Sequence, residues 1–308
     1  MNYASPTPFD DSSKPFTIGL KPLELSDWIE VDASYDAQLR EKRRIEAEHL
    51  DQVFVAEPGT ETAQQEVLDL LRIHLPRRFP ERFRGECKGL AISGHPALTI
   101  DEMRALPPLR AAARLVAEDL ILMRRGDSGW RLVAGSLCFP SHWSLTEKFG
   151  LPMQGIHAPV PGFGPGTRTA ELINRIFDKL LVEQPVQRWN WSVQAGGELY
   201  RPFGSAQQIR RATERPSKFP DGDIPAHAFI RVERQTLRKL PSSGDILFTI
   251  RIYLDPLMQL MRHPERRSIA ASFARQLDGL ETVQLDYKGL TADRDRLVAL
   301  LEEIAAGD

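Results

Sequence analysis

The chain has 308 residues, with 40 Lys+Arg against 42 Asp+Glu and a formal net charge of −2. That length supports a sizeable core in one large or two small domains, and the balance lacks the basic excess of a general nucleic-acid binder. A hydrophobic fraction of 42% with 27% charged residues excludes wholesale disorder, and two cysteines, Cys87 and Cys138, are too few for a disulfide framework or a four-thiolate zinc site and fit a reducing compartment. The opening residues have no basic segment followed by an apolar run, and no stretch is apolar enough to span a bilayer, so a cytoplasmic protein with no membrane partner is expected.

The first two dozen residues, rich in Pro, Ser and Asp, predict an extended arm, with Ser26 and Asp27 capping a short helix through Trp28. Residues 35–50 predict a solvated helix laced with charge pairs and anchored by Leu39, Ile45 and Leu50. Residues 61–75 predict an amphipathic helix on Val67, Leu68, Leu71 and Leu75, stopped by Pro76. A further helix is expected over 107–118. The apolar runs 120–124 and 130–136 flank Gly126-Asp127-Ser128-Gly129, a hairpin signal. Residues 149–167, full of Gly and Pro, read as a loop. Residues 167–183 predict a helix capped by Thr167, with Leu172, Ile173, Ile176, Phe177, Leu180 and Leu181 on one stripe. Residues 227–237 and 246–254 alternate in polarity and are joined by Pro241-Ser242-Ser243-Gly244, a second hairpin. Helices over 257–277 and 293–304 close the chain. Strands and helices fall in segregated groups without a βαβ rhythm, which favours α+β with an antiparallel sheet. The expected organisation is a single domain, with an N-terminal arm and helix over 1–60, a core over 61–256 and C-terminal helices over 257–308.

No GxGxxG, Walker A, HExxH, GxSxG or CxxC pattern occurs, so the common nucleotide-binding and hydrolase readings lose their support. None of the seven histidines forms an i,i+4 metal pair. The informative stretch runs from Cys138-Phe139-Pro140-Ser141-His142-Trp143 through Glu147-Lys148 to Gly155-Ile156-His157-Ala158-Pro159-Val160-Pro161-Gly162-Phe163. Pro159 and Pro161 stiffen the segment that carries His157. A rigid loop of this kind aims one imidazole, either at a metal or at a structural hydrogen bond.

In this order FPSHW, EKFG and IHAPVPGF resemble the haem-dependent oxidative N-demethylase family. RWNW at 188–191, RVERQTLRKLP at 231–241 and LFTIRIY at 247–253 continue the likeness, as do PFTIGLKPL, DWIEVDASY and DYKGL. The resemblance implies a haem b pocket in a PAS-like fold, an antiparallel sheet flanked by helices, with a histidine on the iron. His157 best matches that ligand; His142 is the weaker match and His227 the reserve. Cys138 is a thiolate candidate, but SLCFPS lacks the glycines of a P450 cysteine loop, which leaves a buried apolar thiol. Arg231 or Arg251 would pair with a haem propionate, since guanidinium binds carboxylate bidentately, and Lys148 would either join them or lie along the surface. Glu233 would attract a protonated alkylamine or neutralise Arg231. The implied activity is oxidation of an N-methyl group of a small secondary or N-methylated amine, dimethylamine being the family's characterised case. It would use O2 and release formaldehyde. No flavin, nicotinamide or iron–sulfur fingerprint is present, so the electrons would come from a separate reductase carrying NADPH, flavin and an iron–sulfur centre. A haem-based PAS-like sensor is the alternative, for which no output module is visible.

Overall fold

A computed structural model describes residues 5–86, 89–95, 98–220 and 222–307; Cys87 lies outside them. Among the described residues, ten strands form two antiparallel sheets. In chain order they are β1 (Lys21–Pro22), β2 (Phe54–Ala56), β3 (Phe83–Glu86), β4 (Gly89–Ile92), β5 (Leu98–Thr99), β6 (Asp119–Gly126), β7 (Gly129–Ser136), β8 (Val186–Ala195), β9 (Ala228–Lys239) and β10 (Ile246–Pro256). The main sheet runs β1-β8-β9-β10-β6-β7-β2, and β3-β4-β5 form a small separate sheet. The α+β architecture follows the segregated pattern read from the sequence. Both expected hairpins are present: β6 pairs with β7, with a register shift between Leu122 and Met123, and β9 pairs with β10 from Ile246–Lys239 to Pro256–Phe229. The long strand β8 was not expected. Its sequence, VQRWNWSVQA, lacks the aliphatic alternation of β9 and β10, and its place is fixed by its ladder to β9.

Several helix ends move. The first long helix spans Tyr35–Val53 and breaks its helical geometry at His49 before running into β2. Leu39 and Ile45 are buried as anchors, whereas Leu50 is exposed. The next helix, Glu61–Arg78, carries Pro76 inside its last turn rather than stopping there. The missing proline N–H removes one hydrogen bond, and the buried Leu71 and Leu75 keep the turn closed. The helix expected over 107–118 is shorter, Pro108–Ala113, and a helix that was not expected, Ile100–Ala105, precedes it, begun by a capping box between Thr99 and Glu102. The expected helix over 257–277 is a 3-10 turn, Leu257–Arg262, followed by Arg266–Asp278. Arg168–Lys179 has the expected Thr167 cap, whose hydroxyl accepts from the Ala170 N–H.

Alternation divides the main sheet into two faces. One face is covered by the N-terminal helices over Leu120, Leu122, Val133 and Leu247, and by the C-terminal helices over Trp191, Ile230, Val232 and Tyr253. The other face carries Ile121, Met123, Leu237, Ile250 and Ile252 and is roofed by the segment from Leu137 to Leu180. Between this face and its roof the packing opens into a cavity.

Candidate functional site

The cavity measures about 260 Å³. Its floor is the sheet. Register places Arg188, Asn190 and Ser192 of β8 beside Gln235, Glu233 and Arg231 of β9, and the sheet continues into Leu237, Phe248, Ile250, Ile121 and Met123. One end of the floor is therefore polar and the other aliphatic. The roof carries Trp143, Lys148, Met153, His157 and Phe163, while Phe16 and Ile18 of the N-terminal arm and Tyr287 and Lys288 of the C-terminal region close the sides.

His157 ends a short helix, Met153–His157, started after Pro152, where a loop was expected. The chain then turns through Val160 N–H to His157 C=O at 2.8 Å and Phe163 N–H to Val160 C=O at 3.0 Å, with Pro159 and Pro161 holding the turns extended. The imidazole packs against Phe163 at a ring separation of 6.1 Å and lines the cavity. Burial pushes its pKa down to about 4, assisted by the Arg188 and Lys148 charges, so it is neutral near pH 7.

His142 also lines the cavity. It is positioned by two groups that clamp the preceding turn. Asp119 accepts the backbone N–H of Cys138 at 2.8 Å and of Phe139 at 2.9 Å, and Arg231 donates Nη2 to the Phe139 carbonyl at 2.5 Å. His142 itself has φ of +63°, a left-handed conformation uncommon for a residue with a side chain.

The expected residues separate into three groups. His157, Lys148 and Glu233 line the cavity together. Arg231 shares their face of the sheet but is fully enclosed, with its donors directed at Phe139 C=O, Leu199 C=O and the Glu233 carboxylate. It ties the floor to the segment around Phe139 beside the cavity instead of lining the cavity. The remaining candidates lie elsewhere. Arg251 stands opposite Arg234 on the other face of the sheet, bonded to Gln38, to Asp32 at 2.6 Å and to Ser34 at 2.9 Å. This corrects the expectation that it meets a cavity ligand: adjacent-strand residues in β9 and β10 need matching parity in the register, and Arg231 and Arg251 do not have it. His227 is exposed at the end of the helix Ile224–His227. Cys138 is buried outside the cavity, beside Leu39, Lys42 and Glu46, and burial pushes its thiol up to about 12, which suits an inert packing group.

Glu233 is held on three sides. Arg231 Nε lies 3.4 Å from Oε1, and Asn190 and Gln235 donate to Oε2 at 3.4 and 3.0 Å. Two cations in the cavity were not singled out from the sequence. Arg188 belongs to RWNW, where alternation places it and Asn190 on the face opposite the core tryptophans Trp189 and Trp191; that alternation was the available signal. Its Nε is enclosed without a hydrogen-bond partner among the described residues, and burial lowers its pKa. Lys288, in DYKGL, donates to Trp191 C=O at 2.5 Å and lies 4.6 Å from the Trp191 ring centroid; burial pushes it down to about 8. No local pattern announces Lys288, whose place depends on tertiary packing.

Among the described residues, no group of three or more His, Cys, Asp and Glu side chains is placed to hold a metal ion, and no helix is long and apolar enough to cross a membrane. Buried imidazoles, an aliphatic stretch of floor and several cations are chemistry suited to a large amphipathic anion that brings its own metal. A family model described as haem-dependent oxidative N-demethylase, alpha subunit-like, matches residues 19–298, a span containing every cavity residue named above except Phe16 and Ile18. On that match the chain belongs to the haem-dependent oxidative N-demethylase alpha subunit-like family.

Proposed function

We propose that the chain binds haem b in this cavity and catalyses oxidative N-demethylation of a small secondary or N-methylated amine, with electrons delivered by a separate NADPH-dependent reductase that carries flavin and an iron–sulfur centre. The observation that carries the reading is the donor set. A neutral imidazole, His157, shares the cavity with Lys148, Arg188 and Lys288, against the single carboxylate of Glu233, which Arg231 already engages. That surplus of positive charge in a partly buried space favours a ligand with carboxylates, and the aliphatic floor favours a flat apolar body. The antiparallel sheet, with β10 and β6 adjacent at its middle and helices around it, supports the PAS-like reading.

In this assignment His157 ligates the iron, and Arg188 and Lys148 receive the propionates in place of Arg251. Glu233, fixed by Arg231, Asn190 and Gln235, accepts the ammonium of the amine and orients its N-methyl group. When bound, haem supplies the oxidative chemistry. In balance, one N-methyl amine, one O2, two electrons and two protons yield one demethylated amine, one formaldehyde and one water; the new C–O bond makes a carbinolamine, whose C–N bond then breaks. The protein's part is to bind, orient and restrict water around the reacting carbon.

The test is reconstitution of the full chain with haem b, followed by supply of reducing equivalents and a series of small N-methyl amines. The expected result is one haem per chain and formaldehyde release matched to amine consumption. Absence of haem uptake overturns the reading, and haem uptake without formaldehyde from any amine overturns its catalytic part.

A further inference from the structure

Resting on the haem reading above, we propose that His142 is a second working histidine of the cavity: its Nε2–H donates a hydrogen bond to a small anionic or oxygen ligand held on the iron, while His157 supplies the axial nitrogen.

Four observations carry this. First, His142 lines the cavity, and its Nε2 is enclosed with no hydrogen-bond partner among the described residues. Buried polar atoms are nearly always satisfied, so an orphan on a ring that lines a cavity points to a missing partner. Second, the other ring nitrogen is fixed, since Nδ1 lies 2.8 Å from Ser141 Oγ. A serine hydroxyl donating to Nδ1 leaves the proton on Nε2. Third, the ring is held in place. His142 N–H donates to Arg201 C=O at 3.3 Å, Arg201 N–H donates to Pro140 C=O at 3.2 Å, and the imidazole packs against Phe203 at 5.1 Å. A left-handed backbone at φ +63° kept by such a frame is a feature that clusters at functional sites.

The fourth observation decides between donor and acceptor. The charged groups acting on His142 are Lys218, Arg211, Arg201 and Arg231, all cationic. A bare Nε2 lone pair beside so many N–H donors would be taken by one of them. Instead Lys218 donates to Val193 C=O and Lys288 C=O, Arg201 to Ala195 C=O, and Arg231 to Phe139 C=O, while the Arg211 guanidinium lies over the Phe203 ring at 5.2 Å. Burial and these charges keep the ring neutral. An Nε2–H with no acceptor of its own, in a positive field, selects an electron-rich ligand atom.

Fluoride is the probe, because iron-bound fluoride is a strong hydrogen-bond acceptor, and carbon monoxide is the control, because it accepts weakly. The ferric and ferrous haem-loaded full chain would be titrated with each. His142→Asn keeps a residue type tolerant of positive φ but shortens the donor. It is expected to weaken fluoride binding at least tenfold, about 1.4 kcal/mol, with haem stoichiometry and carbon monoxide affinity within about twofold of wild type. His142→Gln, which restores an N–H at longer reach, is expected to recover most of the fluoride affinity. Unchanged fluoride affinity in His142→Asn with haem still bound overturns the proposal and leaves the haem reading standing. Loss of the wild-type axial spectrum in His142→Asn, with His157→Ala unaffected, also overturns it by making His142 the iron ligand. Wild-type chain that takes up no haem fails the underlying reading, and the proposal falls with it.

Discussion

Arg188 offers the most discriminating perturbation. Its Nε has no hydrogen-bond partner among the described residues, it stands diagonal to Glu233 across the β8–β9 ladder, and burial disfavours its charge. A group placed for fold stability would be paired in the ligand-free protein, whereas one placed for a ligand's carboxylate waits at a cost. Arg188→Met keeps length and apolar contact and removes the charge. In the ligand-free chain the change relieves an incompletely compensated charge, and stability to urea is expected to be unchanged or to rise by about 1 kcal/mol. In the haem-loaded chain it removes one charge-assisted hydrogen bond of about 1.5–3 kcal/mol, a loss of roughly tenfold to a hundredfold in haem affinity. Urea unfolding of the ligand-free protein and haem transfer to an excess of a scavenger protein measure the two quantities separately. Opposite signs are the signature. If the variant instead loses about 1 kcal/mol or more of ligand-free stability while haem transfer is unaltered, Arg188 is a structural counter-ion for Glu233 and the carboxylate assignment is refuted.

Four further outcomes follow from the same geometry. His157→Gly is expected to lose the axial-ligand spectrum and to regain it with added imidazole, whereas wild-type ligation should be constant across neutral pH, since burial already holds the free ring neutral there. Lys288 titrates near 8 in the fold and at about 10.4 when unfolded, so the unfolded chain holds the extra proton between those values and ligand-free stability should climb with pH there, by at most about 1.4 kcal/mol per unit. Below about pH 8 both states are protonated, and Lys288→Met should flatten the rise. Asp119→Ala orphans the N–H groups of Cys138 and Phe139 and is expected to destabilise by about 2–6 kcal/mol in thermal or urea unfolding, at about 1–3 kcal/mol per unsatisfied group. In a Cys87→Ser background, Cys138 should react with a thiol reagent only on unfolding, since its thiol is buried and pushed up to about 12.

Periodicity carried the parts of the fold whose burial is one-sided. The β9–β10 hairpin, the β6–β7 hairpin and Arg168–Lys179 all alternate or stripe strongly, and the structure places them close to where the pattern does. Strand β8 escaped because its inward and outward residues are both bulky or polar, so alternation is chemical only after the faces are known. The site divides the same way. His157, Lys148 and Glu233 were legible because they sit in family motifs or on a strand face of clear parity, and all three line the cavity. Arg251 was misplaced because parity along one strand does not give parity across two; that needs the register. Arg188 lies within RWNW, where the neighbouring tryptophans pack on the opposite face and dominate the pattern. Lys288 reaches the cavity from far along the sequence, held by the carbonyl of Trp191, a contact no local pattern encodes.

The sides of the cavity come from opposite ends of the sequence, and this bears on how the pocket is closed. Phe16, with φ of +55°, meets Tyr287 edge-on at 5.8 Å and takes the Lys288 ammonium over its ring at 5.1 Å. The arm before it is stitched down by Phe9 stacked on Phe273 at 4.2 Å, by Ser272 Oγ to Phe9 C=O at 2.7 Å and by Gln276 Nε2 to Ser13 C=O at 3.0 Å. Two ladders of the sheet, β9–β10 and β6–β7, are sequence-local hairpins, whereas this seam joins segments near opposite ends of the sequence and pays a larger loop-closure entropy. Closure of the cavity on this side therefore depends on contacts between segments that lie far apart in the chain.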